Sequence, residues 1–345
     1  MIEVTRYHDD KLIGRWLLIC AVTIFGMILL GGVTRLTESG LSMVDWQPIM
    51  GVIPPLSTAD WVYLFEQYKL FPEYQLINTG MSLDEFKQIF WFEYLHRVLG
   101  RFIGLLFFFP LMAFLWMGKV HPRLKPHLFA LLILGGCQGL MGWYMVQSGL
   151  VDRPDVSQYR LTAHLGLAIA IYGYIVWLTI GLFSPERTIR LGHASAALSL
   201  VPLVYLMILT GGFVAGTNAG LSFPTWPLMG DSFIPPALYR DGFVSVFEQV
   251  TTIHFNHRML AYATGLIVVT AALRSVLRSH DLRVRIASVL MMAAVTLQIV
   301  LGIGTVLSHV NVTIAAGHQS GAVVLLTTVL YWVHCKRTER MPSVS

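Results

Sequence analysis

Glu93-Tyr94-Leu95-His96-Arg97-Val98-Leu99-Gly100-Arg101 and His254-Phe255-Asn256-His257-Arg258-Met259-Leu260 are the two stretches on which the reading of this chain turns. Each sets a His-Arg pair at the start of an apolar helix. Each is followed, two helices on, by a further histidine just inside an apolar segment, His164 and His318 respectively. An ionisable side chain in hydrocarbon is costly, so paired histidines in two matching frames ask for something that imidazole binds.

The composition around them is that of a membrane protein. Of 345 residues, 55% are hydrophobic and 12% charged, and the mean hydropathy is +0.64. Soluble domains carry roughly 25% charged residues. Apolar stretches of about 20 residues, enough to cross roughly 30 Å of hydrocarbon, are expected near 16–34, 94–116, 128–147, 161–183, 194–214, 254–273, 287–307 and 314–334. The first is read as a span rather than a cleaved signal, since the fifth repeats it and no small-residue cleavage site follows. Net charge is +5, but the basic residues sit between spans and form no groove-binding motif, which excludes nucleic acid as a partner. Arg6, Lys11 and Arg15, then Lys119, Arg123 and Lys125, then Arg283, Arg285, Lys336 and Arg337 fall on one set of loops, while the opposite, longer loops are poorer in Lys and Arg. Both termini are therefore expected in the cytoplasm, with the paired histidines toward the outer leaflet of a bacterial inner membrane. Cys20, Cys137 and Cys335 form no cluster or plausible disulfide and read as packing residues.

Spans one to four repeat as spans five to eight. Gly31-Gly32 matches Gly211-Gly212 and Gly40-Leu41-Ser42 matches Gly220-Leu221-Ser222; Trp46, Pro48 and Gly51 echo Trp226, Pro227 and Gly230. Gln138 and Gly142 match Gln298 and Gly302. An even number of spans per unit gives both halves one orientation. The expected fold is all-α and integral to the membrane, with eight transmembrane helices arranged as two four-helix bundles about a pseudo-twofold axis along the membrane normal. The halves are 1–190, with a long outer loop over 35–92, and 191–345. Within that loop, Asp60–Leu70 and Ser82–Phe92 read as short amphipathic helices, and Trp61, Tyr63, Phe65, Tyr68, Phe86 and Phe90 as an interfacial aromatic belt.

Four histidines at equivalent depth favour ligation over four separate helix-to-helix hydrogen bonds. No thiolates or carboxylates stand at zinc-like spacing, and paired neutral imidazoles from facing helices suit six-coordinate haem iron. His96 with His164, and His257 with His318, are the candidate ligands. Gly100, Gly104, Gly166, Gly265, Gly317 and Gly321 fit a flat ring approaching backbone, and fit small-residue helix packing equally well. Glu93, on the same helical face as His96 and one turn nearer the surface, is replaced by His254 in the second half. That asymmetry points to a reactive site in the first half and an electron-transfer site in the second, although Glu93 could equally serve the positive end of its own helix. Arg97 and Arg258 match haem propionates, with a protein carboxylate such as Glu93 or Asp155 as the competing partner. His254 and His309 stay open.

Gly31-Gly32-Val33-Thr34-Arg35-Leu36-Thr37-Glu38-Ser39-Gly40-Leu41-Ser42 with Trp46 and Pro48, Glu93-x-x-His96-Arg97 and His257-Arg258 together resemble the haem A synthase family over nearly all eight spans. The chain is similar to the subgroup without a cysteine pair in the first outer loop. The resemblance implies oxidation of a haem O methyl substituent to the formyl group of haem A through a hydroxymethyl intermediate, supplying cytochrome oxidase. It further implies that His96 and His164 hold the substrate haem, that His257 and His318 hold a haem b, and that Glu93 acts at the methyl group. Haem O synthase and cytochrome oxidase assembly factors are the candidate protein partners; the electron acceptor is left open. Two rivals compete. A dihaem cytochrome b carrier explains four histidines but leaves the Glu93/His254 difference idle, and a transporter with a histidine proton relay needs midplane polar sites that the spacing does not give.

Overall fold

The computed structural model describes residues 2–44, 53–150, 154–184 and 197–339, and the regular elements among them are helical. In chain order these are α1 (Ile2–Leu36), the short α2 (Thr58–Tyr68) and α3 (Pro72–Leu76), α4 (Leu83–Trp116), α5 (Lys125–Val146) and α6 (Gln158–Phe183). Then come α7 (Leu200–Gly216), the single turn α8 (Ser245–Glu248), α9 (Val250–Arg278), α10 (Leu282–Leu307) and α11 (Val312–Arg337). Seven of them are long and apolar enough to cross a membrane. The fifth expected span, 194–214, is represented by α7, whose 17 residues make about 25 Å of helix, short of the roughly 30 Å hydrocarbon core. Residues 185–196, which precede it and include the expected boundary between halves, lie outside the described residues, as do Trp46, Pro48 and Gly51.

The long helices pack as two rings of four. In one, α1 and α5 each lie against both α4 and α6; in the other, α7 and α10 each lie against both α9 and α11. The histidine-bearing helices α4 and α6 thus stand at opposite corners of the first ring, and α9 and α11 at opposite corners of the second. The rings meet where α1 packs on α11, α6 on α7 and α6 on α11. One buried apolar cluster runs through both, including Leu17, Leu111 and Ile175 from the first and Val204, Met291 and Val329 from the second. Polar ties reinforce the seam: Gln319 donates to the Ile28 carbonyl at 2.6 Å, and Tyr172 and Thr327 share a hydroxyl bond of 2.9 Å. Gly32 makes room for that glutamine, since a Cβ there would stand 2.3 Å from its amide oxygen. After α1 and α7 the chain turns in the same way, with Glu38 and Asn218 both in the left-handed region at φ 51° and 53°. Arg35 donates to the Asn218 side chain at 2.9 Å, joining the two turns.

The long connection differs from its expected form in two respects. Ser82–Phe92 is not a separate helix but the first turns of α4, started by a capping box in which Ser82 and Glu85 bond reciprocally. Nothing between Phe92 and Glu93 breaks the helix, so it runs 34 residues, about 51 Å, and projects beyond the bilayer. Tyr63 stays exposed, but the other aromatic residues are likewise no belt. Phe65, Tyr68, Phe86, Phe90 and Tyr94 bury one another in a satellite core between α2 and α4, with Phe65 stacked on Phe86 at 5.0 Å and Trp61 edge-on to Phe90 at 4.9 Å. Aromatic rings that can bury mutually gain more than rings spread singly over an interface. Cys20 and Cys335 are buried as packing residues, whereas Cys137 faces outward from α5.

Candidate functional site

All four paired histidines lie toward the end of the molecule that carries the long connection. His164 and His318 are each the seventh residue of their helices, α6 and α11, and His257 is the eighth of α9. His96 is the fourteenth of α4 because that helix starts two turns earlier. Within each ring the two imidazoles lie within electrostatic reach of one another, His96 of His164 and His257 of His318.

Each imidazole rests against a glycine on a neighbouring helix. A Cβ at Gly31 would stand 2.8 Å from the His96 ring, and one at Gly302 would stand 2.7 Å from the His318 ring. Gly142 holds His164 at 3.0 Å and Gly211 holds His257 at 3.4 Å in the same sense. These are repeat-equivalent pairs, so the close approach recurs with the sequence. The glycines singled out for ring approach sit elsewhere: Gly166 meets Tyr205 and Leu209, Gly317 meets Leu301, and Gly321 meets Gln298. These three serve helix packing, whereas a Cβ at Gly104 would meet nothing within 4 Å. The signal that would have found the true cradle was the identity of Gly31 with Gly211 and of Gly142 with Gly302.

The surroundings of the second ring nitrogen differ between the halves. The His318 Nδ1 lies 3.2 Å from the Gln298 carbonyl oxygen, which can only accept, so that nitrogen carries the proton. The His257 Nδ1 lies 2.9 Å from the Thr210 hydroxyl. In the first half, the Gln138 amide nitrogen lies 3.2 and 3.3 Å from the two ring nitrogens of His164. The His96 Nδ1 is buried without a hydrogen-bond partner among the described residues. A buried polar atom left in this state is unusual for a finished core and fits a space made for a further group. A buried histidine pair in each ring, the two imidazoles within electrostatic reach and each backed by a glycine, supplies residues that could hold a porphyrin between α4 and α6, and another between α9 and α11.

One turn nearer the helix start, Glu93 and His254 are both buried and do the same structural task. The Glu93 Oε2 accepts from the Ser42 hydroxyl and the Met43 amide, both at 2.7 Å, and Oε1 accepts from Arg97 at 2.5 Å. The Arg97 guanidinium also donates to the Met43 carbonyl at 2.9 Å. In the second half the His254 Nε2 accepts from the Arg258 Nε at 3.0 Å, and Arg258 donates to the carbonyls of Phe223, Thr225 and Leu228. Met43 and Phe223 are themselves 180 positions apart (223 − 43 = 180). Each arginine therefore strings its helix to the segment that follows the first helix of its ring. Of the two partners weighed for Arg97, the structure pairs it with Glu93. His309 is exposed, at a left-handed turn between α10 and α11.

Outside the spans, the Glu73 carboxylate of α3 is buried and accepts from the Tyr68 hydroxyl at 2.8 Å, which in turn accepts from Asn78 at 2.7 Å. Burial pushes the Glu73 carboxyl up to about 8, the Tyr68 hydrogen bond opposes this, and the carboxylates Glu93, Glu38 and Asp155 add to the rise. Its polar partners were not foreseen; an acidic residue beside three aromatics was the available clue. Among the described residues no cluster of three or more His, Cys, Asp or Glu is arranged to hold a bare metal ion.

Comparison with known proteins shows the family. A family model described as cytochrome oxidase assembly protein matches residues 14–330. The heme A synthase of Nitrosospira multiformis is 47% identical over 336 residues, covering 95% of this chain and 94% of that protein. The heme A synthase of Paramagnetospirillum magneticum is 47% identical over 338 residues, with 95% and 94% covered. That of Nitrosomonas eutropha is 45% identical over 345 residues, with 96% and 95% covered.

Proposed function

Because the chain belongs to the family of cytochrome oxidase assembly proteins, we propose that it oxidises the methyl substituent of haem O to the formyl group of haem A, by way of a hydroxymethyl intermediate. It is a multi-pass membrane enzyme of haem A biosynthesis. The observation that carries the reading to particular residues is the pair of buried, glycine-backed imidazoles within electrostatic reach of each other in each ring of helices.

His96 and His164 hold the substrate haem, and His257 and His318 hold a resident haem b. When bound, that haem b supplies one-electron transfer. The two rings are copies related by a pseudo-twofold axis along the membrane normal, comprising residues 1–190 and 191–345. The matched glycine cradles, the matched turns at Glu38 and Asn218 and the mirrored seam of α1–α11 with α6–α7 support that relation. α7 completes eight spans. The Lys and Arg distribution places both termini in the cytoplasm of a bacterial cell and both sites toward the outer leaflet.

Glu93 is the residue placed to take protons released as the methyl group is oxidised. Among the described residues its Oε1 accepts the Arg97 bond alone, which leaves a lone pair for a further proton donor. Arg97 fixes the direction of the carboxylate, and Ser42 and Met43 fix its depth. The α2–α4 aromatic core packs against Met43 and Val98, beside the Glu93 end of the first ring. Haem O carries a long lipophilic tail, so it reaches the site laterally from the bilayer. Haem O synthase and the assembly factors of cytochrome oxidase are the partners that supply the substrate and take the product.

Membranes of a bacterial host that makes haem O but no haem A provide the test. Expression of this chain should yield haem A on pigment extraction; accumulation of haem O alone would contradict the assignment.

A further inference from the structure

We propose that Thr210 is a positioning residue that would fix His257 as a permanent haem ligand, and that the leucine standing in its place in the first half, Leu30, leaves His96 an exchangeable one. The inference rests on the reading of His257 with His318 as haem b ligands and of His96 with His164 as substrate ligands.

The Thr210 hydroxyl has a single proton. It is directed at the Met207 carbonyl within α7, at 2.8 Å, a bond that threonine makes readily in helices. Toward His257, 2.9 Å away, the oxygen can then only accept. In the tautomer that completes this hydrogen-bonded chain the imidazole carries its proton on Nδ1, which leaves the Nε2 lone pair for iron. The Gln298 carbonyl imposes the same tautomer on His318. Both rings of the second site are thus oriented before any porphyrin arrives, and each gains basicity from the acceptor behind it.

The first site lacks both devices. Thr210 immediately precedes Gly211, the glycine behind His257; the residue immediately before Gly31, the glycine behind His96, is Leu30. A leucine accepts no hydrogen bond, and the His96 Nδ1 is buried without a partner among the described residues. His164 faces an amide that donates to its ring instead of a carbonyl that accepts from it. An imidazole that is neither held in one tautomer nor strengthened from behind is a weaker ligand. For a site that must take in one porphyrin and release another, weaker ligation is the useful property; for a resident cofactor it is a fault. The Thr210 hydroxyl is one of the two devices that set the second half apart from the first.

The test uses the purified, haem-loaded full chain, with optical redox titration of the low-spin haem b signal and haem b content after detergent washing. Thr210→Val keeps the shape and removes the acceptor. It should raise the haem b midpoint potential, through weaker donation from His257, and lower haem b retention by about tenfold, as second-shell losses do at metal sites. Thr210→Ser, which keeps the hydroxyl, should restore wild-type values. A Thr210→Val protein with wild-type potential and retention overturns the role of Thr210. His257→Ala separates this from failure of the ligand reading: if that variant keeps its low-spin haem b, the assignment of His257 is what has failed. Leu30→Thr should increase the share of haem O and haem A retained through washing, and unchanged retention overturns the role given to Leu30.

Discussion

Replacing Glu93 separates its chemistry from its architecture, provided two variants are compared. Its side chain and that of Arg97 are 4% and 13% exposed, so this is a buried ion pair rather than a surface one, and truncating one partner strands the other. Breaking such a pair costs about 3–5 kcal/mol. Glu93→Ala also removes the acceptor for the Ser42 hydroxyl and the Met43 amide, each bond to a charged group being worth about 1.5–3 kcal/mol. These terms overlap, since they share one carboxylate, and a local loss on the order of 5 kcal/mol is expected. It falls on the tether between α4 and the segment after α1, so residues 37–44 should become open to proteolysis and hydrogen exchange. Glu93→Gln keeps an acceptor oxygen and the shape of the side chain, at a cost of about 1–3 kcal/mol. It should leave residues 37–44 protected and porphyrin bound, yet cut haem A formation at least 100-fold, the lower range of a lost acid–base group. Haem content is read from extracted pigments, and tether integrity from exchange rates. Normal haem A output from Glu93→Gln would remove the proton-accepting role, while unaltered protection in Glu93→Ala would refute the tether.

Three further outcomes are expected. Glu73→Gln should flatten the pH dependence of stability of the α2–α3 connection. An exposed carboxyl of this kind ionises near 4.5 and the folded one near 8, so between these values the fold retains a proton that the unfolded chain has lost. Stability therefore falls as pH rises through that window and levels off above it; the glutamine, unable to ionise, should be stabler at pH 8 by a few kcal/mol, measured by thermal melting of the connection. Phe86→Ala empties the centre of the satellite core, where Phe86 is fully buried, and should cost about 3–5 kcal/mol, seen as proteolysis of residues 53–82 with the membrane helices intact. Cys20, Cys137 and Cys335 replaced together by Ala should leave haem A output within about twofold, because Cys20 and Cys335 are packing residues and Cys137 faces outward; loss of turnover, read by pigment extraction, would show a thiol at work.

How much of this was written in the residue order depends on the range of the interaction. Spans are set by local hydropathy, so the apolar part of each of the seven long helices was legible, and five were bounded to about five residues, whereas α1 and α4 begin more than ten residues before the expected 16–34 and 94–116; His96, His164, His257 and His318 could be singled out as unusual within them. Glu93 and Arg97 were recognisable as neighbours on one helix face, but their joint attachment to Met43 requires knowing that the segment after α1 folds back on α4. The glycines followed the same rule. Gly100 and Gly321 are close to histidines along the chain, yet the cradle is built from Gly31, Gly142, Gly211 and Gly302, each on a different helix from the ring it supports. The aromatic loop was misread for a related reason: amphipathic periodicity in Asp60–Leu70 and Ser82–Phe92 shows that each has an apolar face, without showing that the two faces meet each other rather than lipid.

The account stands on two imidazole-clamped porphyrin sites, one in each ring of helices. Pigment extraction and chromatography of the purified wild type, His164→Ala and His318→Ala measures this most directly. Wild type should contain haem b together with haem O or haem A, His318→Ala should lose haem b alone, and His164→Ala should lose haem O and haem A alone. A wild type holding only haem b, or two variants that lose the same pigment, would contradict the account.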